Sequence, residues 1–159
     1  MKKRCFITIC WLLALPAILF AQTAERIEDI LEVKAVTYGQ ATQFVLEAAE
    51  LWDFIAEEDA FRVAEERRWL PRGVSPQDEA SLAGIAFLIM KAFDMSGGLM
   101  YSLFDNPHFA YRELVYQNVI QGRVAPNMVV PGDYLLFMVN RLLAEHDEPW
   151  VPVERTRDQ

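Results

Sequence analysis

The chain has 159 residues, 53% of them hydrophobic, a net charge of −8, and two cysteines and two histidines. An excess of acid over base disfavours non-specific binding to nucleic acid or to anionic lipid headgroups, which carry the same sign. The length suits one domain with a core of its own.

Lys2, Lys3 and Arg4 precede an uncharged apolar run from Cys5 to Ala21, the layout of a secretory signal peptide with a small residue at the cleavage point. The run is short for a bilayer span. An uncleaved membrane anchor is the alternative, because Leu19 is larger than the residue favoured two positions before the cut. Ile9 precedes Cys10 where lipid attachment needs a small residue, which argues against a lipoprotein. Removing residues 1–21 removes Cys5 and Cys10, leaving no disulfide or thiol chemistry. It also removes three cations, taking the net charge from −8 to −11. The expectation is a bacterial periplasmic or secreted protein with no membrane insertion after signal removal.

From there helical periodicity dominates, and no segment alternates over the length of a half-buried strand. A short lead-in helix is expected within 25–34 through Ile27, Ile30 and Leu31. The first full helix is predicted from Thr37 to Asp53, with Phe44, Val45, Ala48, Leu51 and Trp52 on its apolar stripe. A second, Glu57 to Trp69, starts acidic at Glu57, Glu58 and Asp59 and ends basic at Arg67 and Arg68, as the helix dipole favours. Pro71 and Gly73 stop it. A third, Glu79 to Asp94, carries Leu82, Ile85, Ala86, Ile89 and Phe93 on one side and ends at Ser96-Gly97-Gly98.

The segment from Gly97 to Phe104 is too apolar for an ordinary linker. It either packs across the bundle or forms an exposed patch for a partner. Asn106 and Pro107 then make the sharpest helix start in the chain, a cap followed by a residue whose missing N–H costs nothing there. That fourth helix is predicted to reach Ile120, with Gly122 as the left-handed residue past its end. Pro131 opens the fifth, through Leu135, Leu136, Val139, Leu142 and Leu143, and residues 147–159 are expected to be a mobile tail.

The stretch Phe61 to Phe93 recurs at Tyr111 to Leu143 with an ungapped offset of 50, which superposes Arg62 on Arg112, Val74 on Val124, Pro76 on Pro126 and Phe87 on Phe137. Such a period marks two copies of one supersecondary unit. Setting Thr37 against Ser81 and Pro131 adds a half copy, 37–53, to the copies 57–94 and 104–145. The expectation is an all-α domain, 22–146, in which three longer helices meet around a pseudo-threefold axis with shorter helices outside.

This pattern resembles the S-layer homology family, whose tandem modules build a three-helix bundle. Phe104-Asp105-Asn106-Pro107, Phe109-Ala110-Tyr111, Val119-Ile120-Gln121-Gly122, Pro126 and Val139-Asn140-Arg141-Leu142 carry the resemblance in the second copy; Ala64, Trp69-Leu70, Gly73, Pro76 and Lys91 carry it in the first. The resemblance implies the fold and an envelope location. The family holds acidic wall polysaccharide through a Thr-Arg-Ala-Glu-like helix start, with the arginine making a charge-assisted contact. The matching tetrads here, Thr37-Tyr38-Gly39-Gln40, Ser81-Leu82-Ala83-Gly84 and Pro131-Gly132-Asp133-Tyr134, contain no arginine, so the family's mode of polymer binding is not implied.

No catalytic signature is present. His108 opens a helix and His146 adjoins the acidic tail, and both read as solvated; no zinc-ligand spacing, P-loop or nucleophile elbow occurs. The adjacent pairs Glu57-Glu58 and Glu65-Glu66 point about 100° apart on a helix and read as solvated surface. Tyr101, Tyr111, Arg112, Tyr116, Arg123 and Tyr134 are the candidate binding residues, being types enriched at recognition surfaces. The sequence thus reads as a non-catalytic exported module without cofactor or metal that docks to an envelope protein or cell-wall polymer. The alternative is a small periplasmic hydrolase or soluble ligand carrier.

Overall fold

Thr37, Ser81 and Asn106 stop the chain from continuing as loop, because each side chain accepts a hydrogen bond from an otherwise open helix amide. Thr37 and Gln40 cap each other reciprocally, Oγ1 accepting from the Gln40 amide at 3.3 Å and Oε1 from the Thr37 amide at 3.1 Å. Ser81 Oγ accepts from the Gly84 amide at 3.2 Å. Asn106 Oδ1 accepts from His108 and Phe109 at 3.0 and 3.2 Å, ahead of Pro107 in the first turn. The computed structural model describes residues 28–147. It is all-α: helical residues 28–32 are followed by α1 (Tyr38–Ala48), α2 (Glu57–Glu66), α3 (Leu82–Ala92), α4 (Leu99–Phe104), α5 (Pro107–Tyr116) and α6 (Gly132–Asp147). The expected signal segment and the tail beyond Asp147 lie outside the described residues.

Four helices end earlier than their apolar periodicity predicts, and all four end in the same way. Glu50, Arg68, Asp94 and Asn118, at φ of 54°, 60°, 47° and 58°, follow α1, α2, α3 and α5 in the left-handed region without being glycine. The next residue turns back to the last turn: Leu51 N–H donates to Leu46 at 3.1 Å, Trp69 to Ala64 at 2.8 Å, Met95 to Met90 at 2.9 Å and Val119 to Leu114 at 2.9 Å. In each case an apolar residue folds over a buried apolar one, and that closure satisfies open carbonyls. This corrects the expectation for Gly122. α5 stops at Tyr116 with Asn118 left-handed, because Val119 must return to the core, and Gly122 adopts its φ of 89° in the following loop.

α3 is apolar all round, not along one side, and is buried all round: Leu82, Gly84 to Met90, and Ala92 are all inside. α5 lies along α3, α1 packs against α2, α3 and α6, and α4 folds back on α5.

The starts of α1, α3 and α6 are tied together by a closed ring of backbone hydrogen bonds. Val36 N–H donates to Val130 O at 2.9 Å, Val130 N–H to Ala80 O at 3.2 Å, and Ala80 N–H to Val36 O at 2.8 Å. All three residues are fully buried. Around this ring the first amide of each helix is received by the segment that precedes the next: Tyr38 by Asp78 at 3.0 Å, Leu82 by Met128 at 2.8 Å and Gly132 by Val33 at 2.8 Å. Among the described residues the only ladder-type pairings are isolated bridges in this region, Thr37 with Glu79 and Ser81 with Val129.

Two glycines let the segments approach. A Cβ on Gly84 would overlap the Tyr38 ring, whose hydroxyl lies 3.1 Å from Ser81 Oγ, and a Cβ on Gly132 would overlap the carbonyl oxygen of Ile30. Gly132→Ala therefore forces backbone apart and is expected to cost about 2 kcal/mol or more in urea unfolding. Glu50→Gly is expected to act oppositely. Relief of the left-handed strain outweighs the entropy cost of glycine there, raising stability by up to ~1 kcal/mol in the same measurement.

Candidate functional site

Two surface features stand out against the satisfied interior. The first is α4. Its sequence, Leu-Met-Tyr-Ser-Leu-Phe, contains no charge, and it turns Tyr101 inward while leaving Leu99, Met100, Leu103 and Phe104 76%, 50%, 64% and 53% exposed. Of the two readings of this segment, the exposed one describes four of its apolar side chains and the packed one describes Tyr101. The helix is held from both sides. Lys91 Nζ reaches Asp105 at 2.7 Å and stands over the Phe87 and Tyr101 rings at 5.5 and 5.8 Å. Glu113 accepts from the Gly98 amide at 2.9 Å, and Phe104 stacks on Phe109 with centroids 5.4 Å apart.

The second feature is a cleft of about 800 Å³. One wall is the end of α2 and the turn after it, with Glu65, Arg68, Arg72 and Val74; the other is Asp105, Asn106 and Pro107. Its floor is apolar, made by Phe61, Leu70 and Phe87, all nearly buried. Asn106 is committed to capping α5 and Asp105 to Lys91. A volume of this size falls within the range of small-molecule sites.

The six tyrosines and arginines expected from sequence do not form one site. Tyr111 and Tyr134 both brace the loop before α6: Tyr111 Oη donates to Val124 O at 2.7 Å, and Tyr134 Oη donates to Gln121 O at 2.9 Å while accepting from the Gln121 amide at 3.2 Å. Burial pushes the Tyr134 hydroxyl above its usual pKa of 10.0, against a smaller lowering from the Gln121 backbone. Tyr101 sits under α4, Tyr116 is 83% exposed at the end of α5, and Arg112 and Arg123 are exposed. His108 is exposed beside Phe109. Glu57, expected to be solvated, is half-buried instead: its carboxylate covers Gly39 and accepts from Thr37 Oγ1 at 3.4 Å. Among the described residues no group of three His, Asp or Glu is placed to hold a metal ion, and no helix is long and apolar enough to cross a membrane.

The cleft escaped the sequence reading. Arg68 and Arg72 flanking Leu70-Pro71 were visible as two cations around a turn, but nothing local says that Asp105 to Pro107 faces them. Comparison with known proteins finds no matching family model, curated protein or solved structure.

Tyr101 is the one described buried side chain whose polar atom finds no hydrogen-bond partner. Burial raises its pKa well above 10.0, and the nearby Asp105 carboxylate pushes in the same direction. A tyrosine that keeps its proton in the folded state while the unfolded chain loses it makes stability fall as pH rises past 10. Tyr101→Phe is expected to unfold at equal or higher urea concentration at pH 7, by up to ~1 kcal/mol, and to show a smaller loss of stability between pH 9 and pH 11 than the parent.

Proposed function

We propose that this chain is a non-catalytic module of the bacterial cell envelope, exported by its N-terminal segment and S-layer homology-like in its repeats, that docks onto an envelope protein through α4. The observation that carries the reading is the uncharged helix with four large apolar side chains turned outward. Such a surface gains by covering itself with another apolar surface. It offers few hydrogen bonds to a polysaccharide and no cation to an acidic polymer, and this favours a protein over a cell-wall polymer.

The alternative of a hydrolase finds two carboxylates, Glu65 and Asp105, lining one cleft. Carboxylate pairs that hydrolyse glycosides need one member to carry a proton. Asp105 is engaged by Lys91 at 2.7 Å. Asp105 is committed to that ion pair and Glu65 is exposed on α2, so the cleft suits binding better than turnover.

The test is capture from envelope extract by the immobilised protein, with polysaccharide intact or digested. The parent is expected to retain a partner after digestion, and the Leu103→Glu, Phe104→Glu double variant to lose at least nine-tenths of it while keeping the parent's far-ultraviolet circular dichroism. Equal capture by both proteins would rule out docking through α4. Capture that disappears on digestion would transfer the reading to a polymer.

A further inference from the structure

We propose that the cleft between α2 and the start of α5 is a binding site for a singly charged anion with an apolar body, its carboxylate received by Arg68 and Arg72. The proposal does not depend on docking through α4.

Charge carries the first step. Arg62 is engaged by Asp59, Arg67 lies over Trp52 and Trp69 at 5.1 and 4.8 Å, and Lys91 is engaged by Asp105. Arg68 and Arg72, like Lys34, Arg112, Arg123 and Arg141, have no side-chain ion pair or hydrogen bond among the described residues, and of these cations only Arg68 and Arg72 line the cleft. Both line the same cleft from one turn. Arg68 is placed by the left-handed closure of α2, its φ of 60° held by the backbone bonds that fold Trp69 back onto Ala64. Two arginines lining one cleft from one short turn supply the residue type suited to receiving a carboxylate.

The rest of the lining sets the ligand's other properties. Phe61, Leu70 and Phe87 line the same cleft as the arginines, so a ligand gains by laying carbon against their exposed edges. Glu65 stands on the same wall as the arginines and Asp105 on the opposite one. Their charge disfavours a polyanion such as nucleic acid or a chain of acidic sugars, and leaves room for one negative group.

Titration calorimetry of the purified protein with N-acetyl-leucyl-phenylalanine, its C-terminal amide and decanoate tests the site. At least one of the two acids is expected to bind one per chain. For the peptide, the amide is expected to bind at least tenfold more weakly than the acid. The Arg68→Gln, Arg72→Gln double variant is expected to lose at least tenfold for whichever acid binds. Both substitutions are on exposed residues, and circular dichroism checks that the fold is kept. Preference for the peptide acid or for decanoate tells a peptide terminus from a fatty acid as the source of the carboxylate. Absence of saturable binding by either acid at millimolar concentration overturns the proposal. So does an amide that binds as well as its peptide acid, or a double variant that binds as well as the parent.

Discussion

The ring formed by Val36, Ala80 and Val130 is the constraint on which the rest of the structure hangs. Each residue spends its N–H on one neighbour and its carbonyl on the other, so three stretches of non-helical backbone satisfy one another at the centre of the molecule. Buried backbone polar groups that find no partner are costly, which makes a closed set stable against the loss of any one member. The ring also sets register. A one-residue slip in any segment would move a fully buried residue out of the ring and break its hydrogen bonds.

From that centre the helices follow in order. α1, α3 and α6 start where the ring releases them, and their first amides are already spoken for by the neighbouring segments. Pro76 and Pro126, matched at an offset of 50 in the sequence, do equivalent jobs: their carbonyls accept from Gly39 at 2.9 Å and from Ala83 at 2.8 Å. α3 takes the middle because nothing on its surface needs water until Lys91, and Lys91 spends its charge on Asp105 while its ammonium lies over the Phe87 and Tyr101 rings. Three of these helices stop where an apolar residue, Trp69, Met95 or Val119, turns back onto the core, and α1 stops with Leu51 closing on the Leu46 carbonyl at the surface.

α4 lies in the join between the two segments that echo each other in sequence, and the cleft opens between that join and the first of them. The stretch that makes this join cannot run straight, since Asp105 and Asn106 must deliver Pro107 to the first turn of α5 against α3. α4 is the short helix that fits into that detour, with Tyr101 as its anchor and the remaining apolar side chains left outside. The cleft is the space left between the detour and the turn after α2. Asp105 belongs to both, closing α4 on one side and lining the cleft on the other.

How much of this was legible follows from the range of each interaction. Helix content and the cap at Asn106-Pro107 depend on residues within a few positions of one another, and local spacing revealed them. The exposure of Leu99 and Leu103 was visible only as one of two possibilities, because periodicity marks an apolar residue without saying whether anything covers it. The early helix ends were missed for a related reason: Asn118 is an unremarkable left-handed residue until Val119 is known to be buried on Leu114. The cleft joins residues 65–74 to 105–107, and the hydrogen-bonded ring joins Val36, Ala80 and Val130 across still longer separations. The sequence by itself determined that the chain is helical and acidic, since those are sums over local chemistry. Only the tertiary structure decided which cations were left unpaired, which apolar helix was left uncovered and which backbone groups met at the centre, because each of these depends on what lies opposite and not on what lies beside.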